Sequence, residues 1–137
     1  MNTNKKTNAI GSSVKLSVLW ASLMFLYIYA DHISLFRTGQ IEEMISGRMG
    51  PFPVTQVSLV SASILMIIPA MMIFLTTIMK PGLNRWVNII SGALYTVVNI
   101  INLIGATWIF YIFFGVVEIG LTLLIVWYAW KLPNFEG

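Results

Sequence analysis

The sequence predicts an all-α integral membrane protein, an antiparallel up-down four-helix bundle with both termini in the cytoplasm. Three observations carry that prediction. Of 137 residues, 58% are hydrophobic and only 9% are Asp, Glu, Lys or Arg, whereas an ordinary soluble domain carries about 25% charged residues. So few charges cannot clothe a water-facing surface, and lipid is the matching solvent. The apolar residues gather into stretches long enough to cross a hydrocarbon core, which takes about 20 helical residues. The basic residues divide unevenly between the two sides: Lys5, Lys6, Lys15, Lys80, Arg85 and Lys131 on one, Arg37 and Arg48 on the other. Six plus two account for all eight, and Lys and Arg accumulate on the cytoplasmic side.

Residues 1–13 are polar and small and are expected to form a flexible tail. The first span covers about 14–36. Its basic flank is reminiscent of a signal peptide, but its core is too long and too aromatic, and Ile28-Tyr29-Ala30 leads directly into Asp31 without a small-x-small cleavage pattern. The helix is therefore expected to be retained. Residues 37–53 form the outer loop, broken by Gly39, Gly47, Gly50, Pro51 and Pro53. Within it, Gln40 to Ser46 fits either a short surface helix, with Ile41, Met44 and Ile45 on one side and Glu42 and Glu43 in water, or a plain solvated loop.

The second span covers about 54–79 and ends at Lys80-Pro81-Gly82. From Trp86 to Trp130 the chain is almost uninterruptedly apolar, too long for one crossing. Gly105-Ala106-Thr107-Trp108 is the expected break, giving spans of about 86–106 and 107–130 as an antiparallel neighbouring pair. Residues 132–137 are left as a C-terminal tail. Residues 14–131 are expected to form one transmembrane domain.

Cysteine is absent, which excludes disulfides, thiolate metal sites, iron–sulfur clusters and dithiol chemistry. No cofactor motif or metal-ligand set is present. His32 stands alone beside Asp31, a poor ligand set even with Glu118. The basic residues sit at helix ends rather than in a patch, so nucleic acid is not an expected partner. The expected partners are the lipid bilayer, a second copy of the chain or another membrane protein, and a small molecule of unspecified identity.

Candidate chemistry lies with polar residues at membrane depth. Glu118 falls near the middle of the fourth span, where a charge costs a few kcal/mol or more, so its side chain should face the bundle interior. Tyr111, Phe114, Gly115 and Thr122 share its face. Asp31 falls in the outer part of the first span, on a stripe with Trp20, Met24, Tyr27 and Ser34. At 1.5 Å per residue, Asp31 lies roughly 8 Å and Glu118 roughly 16 Å below the outer helix ends, so both could line one cavity opening outward. Asn88, Tyr95, Asn99 and Asn102 form a polar stripe on the third span that should face one or both acids. Ser58, Ser61 and Ser63 read as interhelical glue. Pro69 kinks the second span and frees the Leu65 carbonyl, which then needs a partner inside the bundle. The candidate ligand-binding set is Tyr27, Asp31, Asn99, Asn102, Tyr111 and Glu118, with no catalytic or metal-binding residue.

Several segments carry a resemblance: Leu19-Trp20-Ala21-Ser22, Tyr27-Ile28-Tyr29 before Asp31, Ser34-Leu35 before Gly39, Asn84-Arg85-Trp86, Tyr111 ahead of Val117-Glu118, and Trp127-Tyr128-Ala129-Trp130. With these the chain resembles a family of small bacterial and archaeal four-span membrane proteins of unknown function. In size and span count it is also distantly similar to the DoxX-like group. The resemblance implies four helices and no activity. Three functions remain open. The favoured one is binding or transport of a small molecule through a polar cavity, coupled to protons through Glu118. The others are an accessory membrane subunit without ligand, and an enzyme using an acid pair on a lipid-like substrate. The absence of any nucleophile–base pair disfavours the enzyme.

Overall fold

Four long apolar stretches become helices, and what they turn outward identifies their solvent. In a computed structural model that describes residues 3–133, α1 spans Thr3–Ser34, α3 Gln56–Ile78, α4 Pro81–Leu103 and α5 Ile109–Trp130. All four are long and apolar enough to cross a membrane. Phe25, Ile67, Phe74, Ile90, Val97, Phe113, Val116 and Leu123 are exposed, while Asn84, Asn88, Asn99, Thr76, Thr122 and Glu118 are buried. Lipid takes the apolar exterior without penalty, and backbone and side-chain polar groups must find partners within the protein. The chain is a multi-pass membrane protein.

The outer loop holds α2 (Gln40–Ile45), with Ile41, Met44 and both glutamates exposed, followed by a two-residue hairpin of β1 (Arg48–Met49) and β2 (Phe52–Pro53). Its strands pair antiparallel, Arg48 opposite Pro53 and Met49 opposite Phe52, around Gly50 at φ +58°. The α4–α5 break falls where Gly105 takes φ +79°, a left-handed position that glycine occupies without steric cost and that commonly ends a helix. Residues 86–130 are thus two helices and not one rod.

Two boundaries differ from expectation. The first helix begins at Thr3, not at residue 14. Thr7 donates to the Thr3 carbonyl at 3.0 Å, Ala9 is buried, and Ser13 accepts a hydrogen bond from Asn84. Tertiary contacts thus carry the helix through polar sequence that lacks an apolar signal. α4 begins at Pro81, five residues before Trp86. Proline suits the first helical turn because its missing N–H has no intrahelical partner there, so Lys80-Pro81 both ends one helix and starts the next. Residues 1–2 and 134–137 fall outside the described residues. Of the expected C-terminal tail, Leu132 is buried in the core.

Around the bundle, α1 packs against α3 and α5, and α4 packs closely against α5, leaving α3–α4 the loosest seam. The core joins Leu16, Trp20, Leu23 and Tyr27 of α1 to Met72, Tyr95, Ile125 and Ala129. Gly92 brings α4 onto α5: a Cβ there would stand 2.8 Å from Val126 and 3.3 Å from the Thr122 carbonyl. Thr96 donates to Thr122 Oγ1 across the same contact at 2.8 Å.

Pro69 is buried inside α3, and its missing N–H leaves the Leu65 carbonyl without its helical donor. Tyr95 of α4 supplies the replacement, its hydroxyl donating to Leu65 O at 2.6 Å. Tyr95→Phe should therefore lower stability by about 1 kcal/mol, measured by denaturant titration in detergent micelles. The ring packing against Trp20 is unchanged by that substitution.

Candidate functional site

Helical spacing delivers the polar residues to one place. Tyr27 and Asp31 stand one turn apart on α1, Asn99 and Asn102 about one turn apart on α4, and Tyr111 and Glu118 two turns apart on α5. All six line a single cavity of about 70 Å³ in the half of the bundle nearest the loops, with Leu65 and Met66 of α3 closing its side. Counting from the observed helix ends at 1.5 Å per residue, Asp31 lies roughly 4 Å and Glu118 roughly 14 Å deep, so Asp31 sits at the rim and Glu118 at the bottom. Asp31 and Asn102 are exposed, Tyr111 is half-buried, and Glu118 is 8% exposed.

Asn99 is the best-defined polar group in the cavity. Tyr27 donates its hydroxyl proton to Asn99 Oδ1 at 2.8 Å. That bond occupies Oδ1, and among the described residues Nδ2 has no hydrogen-bond partner although Asn99, which lines the cavity, is only 1% exposed. A buried donor without an acceptor costs about 1–3 kcal/mol. Two carboxyl groups and no Lys, Arg or His line the cavity.

The cavity leads towards the loop between α1 and α3. Asp31, Asn102 and Tyr111 also line a wider vestibule of about 510 Å³ between the outer loop and the α4–α5 turn, so these three form the throat joining the two spaces. Arg37, which donates to the Gln40 side chain, stands in the vestibule beyond the throat. Towards the terminal end the cavity stops. Its floor is Tyr27 and Tyr95 backed by the core, with Trp20 and Tyr95 in edge-to-face contact at 5.9 Å and 87°.

The third-span stripe thus divides. Asn99 and Asn102 face the cavity and Tyr95 reaches its floor, with its hydroxyl given to the Leu65 carbonyl, whereas Asn88 lies beyond it, because the cavity occupies only the loop-side half. Asn88 instead accepts from Trp20 Nε1 at 2.7 Å and donates to Asn84 Oδ1 at 2.6 Å, and Asn84 donates to Ser13 Oγ and the Thr76 carbonyl. Thr122, on Glu118's face, is likewise taken up by Thr96. The serines of α3 are not interhelical glue. Ser61 and Ser63 donate to carbonyls four residues back in their own helix, and Ser58 forms a capping box with Thr55. A hydroxyl on an exposed face satisfies itself locally.

Sequence reasoning missed Asn84, which fell before its assumed helix start. The spacing Asn84, Asn88, Tyr95, Asn99 would have placed it on the buried face. It also missed Arg37 and Gln40, whose place in the vestibule depends on how the loop folds back.

No curated protein and no solved structure matches the chain, so the DoxX-like likeness gains no support. The profile of a family described as of unknown function, DUF6326, matches residues 10–135. That match covers α1 from Ile10 onward, the other helices entirely and the six candidate residues, and the chain belongs to the DUF6326 family.

Proposed function

We propose that the protein binds a small, positively charged or proton-donating solute in the cavity between α1, α4 and α5. The solute enters through the Asp31–Asn102–Tyr111 throat, and Glu118 is the principal binding group. The observation that carries this reading is the cavity lining: two carboxyl groups, an unpartnered buried amide and no cationic side chain, joined to an outer vestibule. The six-to-two division of basic residues supports an orientation with the termini in the cytoplasm and the vestibule outside. Passage across the whole bilayer would need the Tyr27–Tyr95 floor to part or a second copy of the chain to complete the path.

Because the chain has no cysteine, one introduced thiol reports access cleanly. Asn102→Cys in liposomes should react with cationic methanethiosulfonate ethylammonium at least about tenfold faster than with the anionic ethylsulfonate reagent. Clefts lined by one sign of charge raise rates for the opposite sign by that order. The preference should collapse in Asp31→Asn/Glu118→Gln. Equal rates for both reagents would refute a cation-selective site, as would no reaction while Phe36→Cys on the exposed surface reacts.

A further inference from the structure

Three features of the cavity narrow what it holds. Its volume of about 70 Å³ takes a short file of waters, each needing about 10–15 Å³ of cavity volume, and is half the roughly 150 Å³ that admits benzene. Glu118 and Asp31 call for positive charge or hydrogen-bond donors. Asn99 Nδ2, fixed by Tyr27 and without a partner among the described residues, calls for a lone pair. A bare metal ion or ammonium offers no lone pair and would meet the amide N–H groups repulsively. An organic cation that also carries an acceptor needs several heavy atoms and would fill the throat as well, leaving part of itself in the vestibule. A proton shared along a file of waters supplies charge and donors towards the carboxyl groups, while a neutral water of the same file supplies the acceptor that Asn99 Nδ2 lacks.

Resting on the solute-site reading above, we infer that the occupant is a proton held on a short water chain that Asn99 anchors and Glu118 terminates, with Asp31 as its outer relay. A proton entering from bulk water at the throat is passed along water O–H bonds. One O–H forms at each acceptor as another breaks at its donor, and the last forms on a Glu118 carboxylate oxygen, so nothing is oxidised or reduced. The groups facing Glu118 are Asp31 and Tyr27 from α1, Asn99 and Tyr95 from α4 and Tyr111 from its own helix, while α3 contributes only Leu65 and Met66. Arg37 is the cation nearest the path, out in the vestibule. The Trp20–Tyr95 contact seals the other side, which makes this an uptake site and not a through-channel. Asn99 is a positioning residue: it holds the water and does not itself accept the proton.

Infrared difference spectroscopy of the full chain in lipid nanodiscs tests this. Acidification should raise a carboxylic C=O band that shifts in D2O and is lost in Glu118→Gln. In Asn99→Leu the band should persist at higher frequency, because the carboxyl loses its water partner; a purely structural role for Asn99 would leave the frequency unmoved. If Glu118→Gln fails to fold, Glu118→Asp should keep the band with a shifted frequency. Absence of any Glu118-dependent band would overturn the inference. So would displacement of the band by sodium, ammonium or methylammonium at fixed pH, which would name another cation and leave the solute-site reading standing. The thiol-reagent selectivity fails only if that broader reading fails.

Discussion

Asn88→Leu should destabilise the bundle by about 2–3 kcal/mol, more than any other single polar substitution in α4. Leucine shares asparagine's branched four-atom skeleton and is the better helix former, so propensity does not oppose the change, although its methyl groups add volume at a fully buried position. The loss comes from the partners. Trp20 Nε1, 0% exposed as part of a fully buried residue, loses its acceptor, and Asn84 Oδ1 loses its 2.6 Å donor. Interhelical hydrogen bonds in membrane proteins average about 0.6 kcal/mol, but an orphaned buried donor adds about 1–3 kcal/mol, and several groups are affected at once. Asn102→Leu on the exposed rim removes no such partner and should cost under about 0.5 kcal/mol. Steric trapping or denaturant titration of the two variants side by side measures the difference. Equal stabilities would mean that the Ser13–Asn84–Asn88–Trp20 chain is ornamental.

Asn102→Trp should close the throat while leaving the fold intact. Asn102 belongs to both the cavity and the vestibule, and it is exposed, so an indole there meets open space and not packed core. With Tyr111 and Asp31 opposite, the added ring occupies the passage itself. A barrier of about 1.4 kcal/mol slows entry tenfold. The reaction of silver ion with Ala30→Cys, a thiol inside the cavity, should therefore slow at least that much when Asn102→Trp is added. An unchanged rate would show that solutes reach the cavity by another route, such as the α3–α4 seam.

Much of this arrangement was legible in the chain. Acids and amides within apolar helices are expected to turn towards other protein, so helical spacing alone grouped Tyr27, Asp31, Asn99, Asn102, Tyr111 and Glu118. The Leu65 carbonyl was likewise legible as needing a donor, since proline's missing N–H follows from its chemistry. What spacing could not supply was how far along the axis the cavity extends. Asn88 and Asn99 lie on the same helical face, yet one is consumed by an indole and the other is left open. That depends on which α1 residue stands opposite each. The early start of α1 and the 48–53 hairpin were also hidden. The first is imposed by tertiary contacts on polar sequence, and the second is too short for any alternation to register.

The union of Tyr95 with the Leu65 carbonyl has a mechanical consequence. Since α4 and α5 are pressed together at Gly92 and α1 grips both α3 and α5, the bundle behaves as a rigid three-helix frame with α3 hung on it like a door leaf. Along the free edge Asn84 holds the Thr76 carbonyl near the α3–α4 turn, and beside the cavity the Tyr95 phenol is the latch, placed where proline has already weakened the leaf. Any motion that widens the chamber beside Met66 must first draw that latch.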